Sequence, residues 1–86
     1  MPERRVIVAI AEGLHARPAA LFVQLAAAQP VPVTICKDGG RPASAASILA
    51  VMALGAKAGD DVVLAAEGDG ADASLDALGQ YLLTQG

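Results

Sequence analysis

Four short segments of the chain alternate between an apolar face and a more polar one, which is the pattern of β-strands. In the first segment, Val6, Val8 and Ile10 fall on the same face. Pro42 has no backbone N–H, so the segment around it is predicted to be an edge strand. Glycines within residues 37–41 predict a hairpin turn. The predicted strands are residues 5–10, 31–36, 41–43 and 61–67.

Three further segments have the composition and spacing of helices. Residues 16–28 are rich in alanine and leucine, and Pro18 stands in the first turn, where proline is tolerated. A short second helix is predicted over residues 47–54, with Ser44 or Ser47 as its N-cap and an end at Gly55. The last helix has an apolar stripe at spacings of three and four residues, formed by Ala71, Leu75, Leu78 and Leu82.

The predicted order of elements is therefore β-α-β-β-α-β-α. Four strands and three helices in so short a chain favour an α+β fold, with one four-stranded antiparallel sheet and the helices packed on one face. The opposite face of the sheet is expected to be open to solvent. Cys36 has the same parity as Thr34, so we expect it on the open face as an ordinary small residue.

The composition argues against several classes of function. The net charge of −3 and the presence of only two aromatic residues, Phe22 and Tyr81, argue against a nucleic-acid interface. One cysteine and one histidine cannot form a zinc site, and no cofactor is expected. No apolar run is long enough to cross a bilayer, and the first residues do not resemble a secretory signal. The chain is expected to be cytoplasmic.

The most informative residue is His15, which stands where the first helix is predicted to begin. A helix start presents backbone N–H groups without internal partners and favours anions. Gly13 permits a tight turn before the helix, and the small side chain of Ala16 leaves the amides accessible. Arg17 adds planar, permanently charged donors that suit phosphate oxygens. The pattern indicates a nucleophilic imidazole beside an anion site, which is what accepting a phosphoryl group requires.

Two motifs carry a resemblance to a known family. The octapeptide Gly-Leu-His-Ala-Arg-Pro-Ala-Ala at residues 13–20 closely resembles the active-site signature of HPr, the histidine-containing phosphocarrier of the bacterial phosphoenolpyruvate:sugar phosphotransferase system. Residues 47–55, Ser-Ile-Leu-Ala-Val-Met-Ala-Leu-Gly, resemble the signature around the regulatory serine of that family. The resemblance covers essentially the whole chain and implies a single HPr domain over residues 1–86 with the fold of an open-faced β-sandwich.

The resemblance also implies roles for these residues. His15 would be phosphorylated on Nδ1 by phospho-enzyme I, which is charged by phosphoenolpyruvate, and would pass the group to enzyme IIA domains for sugar uptake. Arg17 would stabilise the phosphoryl group, and the amides of Ala16 and Arg17 would contribute to the phosphate site. A protein of this kind is a monomeric, stoichiometric carrier with a phosphohistidine intermediate rather than an enzyme with turnover of its own.

Ser47 has two interpretations, which are compatible. One is a helix N-cap. The other, implied by the resemblance, is phosphorylation by an HPr kinase/phosphorylase, which would add negative charge to a docking surface. The sequence departs from the family at this point, because Ala46 stands where a basic residue is often found.

The first helix is apolar on nearly all sides, which predicts an exposed apolar ring around His15 for docking partners. Phe22, Val23 and Ala26 are expected in the core, and Leu49 or Val51 of the second helix is also expected to pack inside. The residues predicted to form the partner interface are Leu14, Ala20, Leu21, Ile48, Leu49 and Met52.

Two alternatives to sugar transport stay open at this point. One is a paralogous carrier in a regulatory or nitrogen-related phosphorelay, or in a dihydroxyacetone-kinase system. The other is a regulator that acts by docking alone, without transferring a phosphoryl group. The presence of both His15 and Arg17 argues against the second alternative.

Overall fold

A computed structural model describes residues 2–37 and 39–84 of the chain. Within this part, four strands and three helices follow one another in the order predicted from the sequence. They are β1 (Glu3–Ile7), α1 (Ala16–Ala27), β2 (Val33–Lys37), β3 (Ala43–Ser44), α2 (Ile48–Leu54), β4 (Asp61–Ala66) and α3 (Ala71–Thr84). The single domain predicted over residues 1–86 includes residues 1, 38, 85 and 86, which lie outside the described residues, as does part of the predicted hairpin turn.

The strands form one sheet with the order β1-β4-β2-β3, in which all neighbours are antiparallel. The register places Val6 opposite Val62 and Ile35 opposite Leu64, and these four side chains are buried. The residues that alternate with them along the strands, such as Ile7, Val63 and Cys36, are exposed or half-buried. The alternation therefore separates a core face from an open face, and the α+β fold with an open sheet is confirmed.

The helices bury their apolar side chains against the core face of the sheet. Phe22 of α1 is fully buried, as is Val51 of α2. Helix α3 packs against β1, β4 and α1, and its predicted apolar stripe is confirmed. The stripe residues Ala71, Leu75, Leu78 and Leu82 are all buried. In the described residues, no helix has the length and apolar character that crossing a membrane requires.

The bounds of all four strands differ from those predicted by up to three residues, as β1 and β3 illustrate. Strand β1 ends at Ile7, because its partner β4 begins opposite at Asp61. Val8 and Ile10 are nevertheless buried, and the amide of Val8 donates to the carbonyl of Asp60 at 3.0 Å instead of to a strand partner. Strand β3 contains Ala43–Ser44 rather than residues 41–43, so Pro42 lies just before the edge strand.

Candidate functional site

The imidazole of His15 is exposed and makes no hydrogen bond to the helix that it precedes. His15 is the N-cap residue of α1, with an extended backbone at φ −129° and ψ 165°. Many N-cap side chains accept a hydrogen bond from the first helical turn, which stabilises the helix. The side chain of His15 does not do so. Both the ring nitrogens and the helix start therefore stay accessible from solvent.

The loop before His15 is held against the segment that follows α2. Gly13 adopts φ +72°, and a Cβ atom there would lie 2.6 Å from the carbonyl oxygen of Ala56. The amide of Leu14 donates to the same carbonyl at 2.9 Å, and the side chain of Leu14 is buried. Only glycine permits this close approach. The contact fixes the chain immediately before the histidine.

Ala16 has a positive φ of 49°, the only non-glycine residue of the described part of the chain with this property. A left-handed conformation costs an L-amino acid about 1–2 kcal/mol. Such strain persists where neighbouring contacts determine the backbone. The change in chain direction between the loop and α1 is therefore concentrated at the residue directly after His15.

Arg17 and the first amides of α1 are available to bind an anion. Arg17 is exposed, and no carboxylate in residues 2–37 and 39–84 forms an ion pair with it. Pro18 has no N–H, so within α1 the first amides without a helical acceptor are those of Ala16 and Arg17. A planar guanidinium and two amides close in sequence to an imidazole are suited to the oxygens of a phosphoryl group.

A contact that the sequence analysis did not predict joins α3 to this site. The hydroxyl of Tyr81 donates to the carbonyl of Pro18 at 2.8 Å, and the ring of Tyr81 lies 6.0 Å from that of Phe22. A tyrosine hydroxyl is protonated and able to donate at neutral pH, and burial raises the pKa of Tyr81 further above its ordinary value. In the sequence, this contact is indicated only by the position of Tyr81 directly beside the apolar stripe of α3, next to Leu82.

A second unpredicted group of contacts stabilises the segment that holds the loop. Lys37 Nζ lies 3.3 Å from Asp60 Oδ2 and 3.5 Å from the carbonyl oxygen of Gly55. The amide of Lys57 also donates to Asp60 Oδ2, at 2.9 Å. This backbone hydrogen bond is the main reason that the pKa of Asp60 is lowered, with Lys37 as a further cause. Residues 55–60, which include Ala56, are thereby tied to β2.

Ser47 has the structural role predicted for it. Its Oγ accepts a hydrogen bond from the amide of Ala50 at 3.3 Å, so it caps α2. Gly55 ends the helix in a left-handed conformation, as its position predicted. The role of Ser47 as a cap is confirmed, and its phosphorylation stays a prediction.

The predicted apolar ring is exposed in part. The exposed residues are Leu21 at 40%, Ile48 at 38%, Leu49 at 80% and Met52 at 46%, and Ala20 is half-buried. The prediction that Leu14 belongs to the exposed ring is wrong. Its side chain is 0% exposed, because the hydrogen bond to Ala56 draws the loop into the core. We refer to Ala20, Leu21, Ile48, Leu49 and Met52 as the apolar surface.

The described residues contain no cluster of three or more His, Cys, Asp and Glu side chains that could hold a metal ion.

Comparison with known proteins decides the family. Residues 2–83 match the family model described as the PTS HPr component phosphorylation site. The chain belongs to the HPr family. It is 55% identical to the phosphocarrier protein HPr of Streptomyces coelicolor over 82 residues, which are 95% of this chain and 88% of that protein. HPr proteins are phosphocarriers of the phosphotransferase system, and that is the function of this chain.

Solved structures agree with this assignment. The crystal structure of HPr from Bacillus anthracis superposes with a TM-score of 0.89 at 40% identity, covering 94% of this chain and 95% of that one. A structure described as an HPr dimer, from Thermoanaerobacter tengcongensis, has a TM-score of 0.67 at 45% identity and covers 77% of this chain and 75% of that one. The open-faced β-sandwich implied by the resemblance is therefore confirmed as the HPr fold.

Proposed function

We propose that His15 accepts a phosphoryl group on Nδ1 from phospho-enzyme I and delivers it to enzyme IIA domains for sugar uptake. The observation that carries this proposal is that the exposed His15 makes no cap hydrogen bond, at a helix start where Arg17 forms no ion pair with the described residues. The group originates in phosphoenolpyruvate. The pathway and these partners are those implied by membership of the HPr family.

In this proposal the groups at the helix start take part directly in the transfer. The lone pair of Nδ1 attacks phosphorus, the bond from phosphorus to enzyme I breaks, and its electron pair stays with enzyme I. Arg17 and the amides of Ala16 and Arg17 would stabilise the negative charge on the phosphoryl oxygens during this exchange. Attack by a nucleophile of an enzyme IIA domain then breaks the N–P bond and returns His15 to its starting form.

The protein acts in this proposal as a stoichiometric carrier, without a cofactor and without catalytic turnover of its own. It would work as a monomer in the cytoplasm, as one domain spanning residues 1–86. The apolar surface would provide the contact with each partner in turn. A small contact of this kind suits a carrier that has to release one partner before it meets the next.

The proposal is tested by incubating the protein with phosphoenolpyruvate and enzyme I. We expect one acid-labile, base-stable phosphate per chain, located on His15 by mass mapping. His15→Ala should abolish labelling, whereas Gln24→Ala, an exposed change on the same helix, should leave it intact. Label that persists in the His15→Ala protein would refute the assignment. Transfer from the labelled protein to sugar and nitrogen enzyme IIA domains then identifies the branch.

We also propose Ser47 as the site at which an HPr kinase/phosphorylase would act. A phosphate on its oxygen would lie at the start of α2 beside Ile48 and Leu49, and would place negative charge next to the apolar surface. Incubation with such a kinase and ATP, followed by mass mapping, tests the idea. An unmodified Ser47 would refute it, and Ser47→Ala serves as the control for labelling elsewhere.

A further inference from the structure

The strained residue Ala16 lies between two anchored stretches of backbone. On the loop side, the amide of Leu14 is bonded to the carbonyl of Ala56 at 2.9 Å. On the helix side, the carbonyl of Pro18 accepts the hydroxyl of Tyr81 at 2.8 Å. Without an anchor on each side, the backbone between them could relax toward an ordinary φ value. That relaxation would move His15 and the amides beside it.

Tyr81 is also connected to His15 through a chain of hydrogen bonds. The carbonyl of Pro18 and the N–H of Ala19 belong to the same peptide group, and that N–H donates to the carbonyl of His15 at 3.4 Å. This helical bond is long, and therefore weak. A donor on the carbonyl of a peptide group polarises its N–H, which strengthens the next bond in the chain. The Tyr81 hydroxyl thus supports the bond that fastens His15 to the first turn.

Packing alone does not account for a tyrosine at this position. The ring of Tyr81 is half-buried against Phe22, and phenylalanine would fill the same space. The hydroxyl is instead aimed at a carbonyl of another helix, in the turn that carries the site. Helical geometry already gives the carbonyl of Pro18 one donor, the amide of Phe22, so the hydroxyl uses its second lone pair.

We propose that Tyr81 is a positioning residue for phosphoryl transfer, which acts through the Pro18–Ala19 peptide group to hold His15 and the adjacent amides in the geometry that binds the phosphoryl group. The inference rests on the proposed function of His15. Tyr81 does not touch the reacting atoms, and its contribution is to the order of the first turn.

The test compares Tyr81→Phe with a matched variant of the same helix, Ser74→Ala. Ser74 Oγ donates to the carbonyl of Gly70, just before α3, at 2.8 Å, so both variants lose one side-chain hydroxyl bonded to a backbone carbonyl. Thermal melts first establish that both proteins fold. Hydrogen exchange of the Ala19 amide is then measured by NMR in the unphosphorylated proteins, and the kcat and KM of phosphorylation by enzyme I are determined for each.

We expect Tyr81→Phe to accelerate exchange of the Ala19 amide and to lower kcat about fivefold, the equilibrium effect of one hydrogen bond of ordinary net strength, with little change in KM. Ser74→Ala should change neither the exchange of Ala19 nor kcat. Equal Ala19 exchange in the two variants would overturn the proposal, as would an unchanged kcat in Tyr81→Phe. If the unmodified chain takes no phosphate, the proposed function fails, and the exchange experiment still decides whether Tyr81 holds the turn.

Discussion

Helices α1 and α2 both begin after a residue with an extended backbone, but only one of the two side chains caps its helix. Ser47, at φ −107° and ψ 117°, accepts a hydrogen bond from the amide of Ala50. His15, at φ −129° and ψ 165°, makes no such bond. Its helix also starts with the strained Ala16. The start of α2 thus contributes to stability, whereas the start of α1 leaves its donors free for a ligand.

The two helix starts also differ in what holds them in place. The cap of α2 is local, since Ser47 bonds to a residue three positions later. The start of α1 depends on distant parts of the chain, because Ala56 holds the preceding loop and Tyr81 holds the first turn. Because the start of α1 keeps its own donors free, its backbone is held by contacts with residues outside the helix. Substitutions can therefore separate stability from function.

Gly13→Ala should destabilise the protein most, because it disrupts the contact with Ala56 that holds the loop before α1. The added Cβ would meet the carbonyl oxygen of Ala56 at 2.6 Å in a backbone with φ +72°. We expect a loss of about 3 kcal/mol or more in the free energy of unfolding, measured with urea. Gly55→Ala, with φ +68° and nothing within 4 Å, is the matched control at the end of α2. It should lose about 1–2 kcal/mol, from backbone strain alone. Equal losses would mean that the contact with Ala56 is unimportant.

Arg17→Ala tests whether the start of α1 serves phosphoryl transfer rather than stability. Removal of an exposed guanidinium that forms no ion pair with the described residues should change the free energy of unfolding by less than about 0.5 kcal/mol. Loss of a charged donor to the phosphoryl oxygens should slow transfer from phospho-enzyme I on the order of 100-fold. Arg41→Ala, another exposed arginine, is the control and should transfer at the normal rate. A normal rate in the Arg17→Ala protein would exclude the guanidinium from the phosphate site.

Ser47→Ala and His15→Ala should differ in their effect on stability. Loss of the Ser47 cap should cost about 1 kcal/mol of unfolding free energy, because the amide of Ala50 loses its acceptor. Loss of the His15 side chain should cost less than about 0.5 kcal/mol, since it caps nothing. Urea melts of the two variants measure both values. A larger loss for His15→Ala would show that the imidazole has a structural role after all.

The smallest effect should be a pH dependence of stability that arises from Asp60. This residue belongs to residues 55–60, the segment that holds the loop before α1. The pKa of Asp60 is lowered in the folded protein from its usual 3.8, so the folded state binds this proton less readily than the unfolded chain. Its contribution to stability is present above pH ~4 and is lost as the pH falls through the lowered value. Urea midpoints across this range should fall less steeply for Asp60→Asn than for the unchanged protein. Parallel curves would contradict the assignment of Asp60.

Features that depend on nearby residues could be predicted from the sequence. The stripe of α3, the ends of α2 and the open sheet face follow from spacing, Ser47, Gly55 and alternation. Features set by distant contacts could not. The burial of Leu14 depends on Ala56, and the anchor on Pro18 depends on Tyr81. Ala16 lies between these two contacts. Nothing in the sequence indicates its positive φ, because alanine rarely adopts one. The motif indicates the candidate site, whereas the contacts that hold its backbone depend on the whole fold.

The strand order β1-β4-β2-β3 has a consequence for how the protein is made. Synthesis delivers His15 early, but β1 pairs with β4 and the loop before His15 is bonded to Ala56. Pairings between segments far apart in the chain form slowly, because a large loop has to close first. A nascent chain whose β4 has not yet emerged from the ribosome therefore carries the complete signature of the family without its geometry. Competence to carry phosphate should therefore appear late, once β4 has emerged and paired, and in one step.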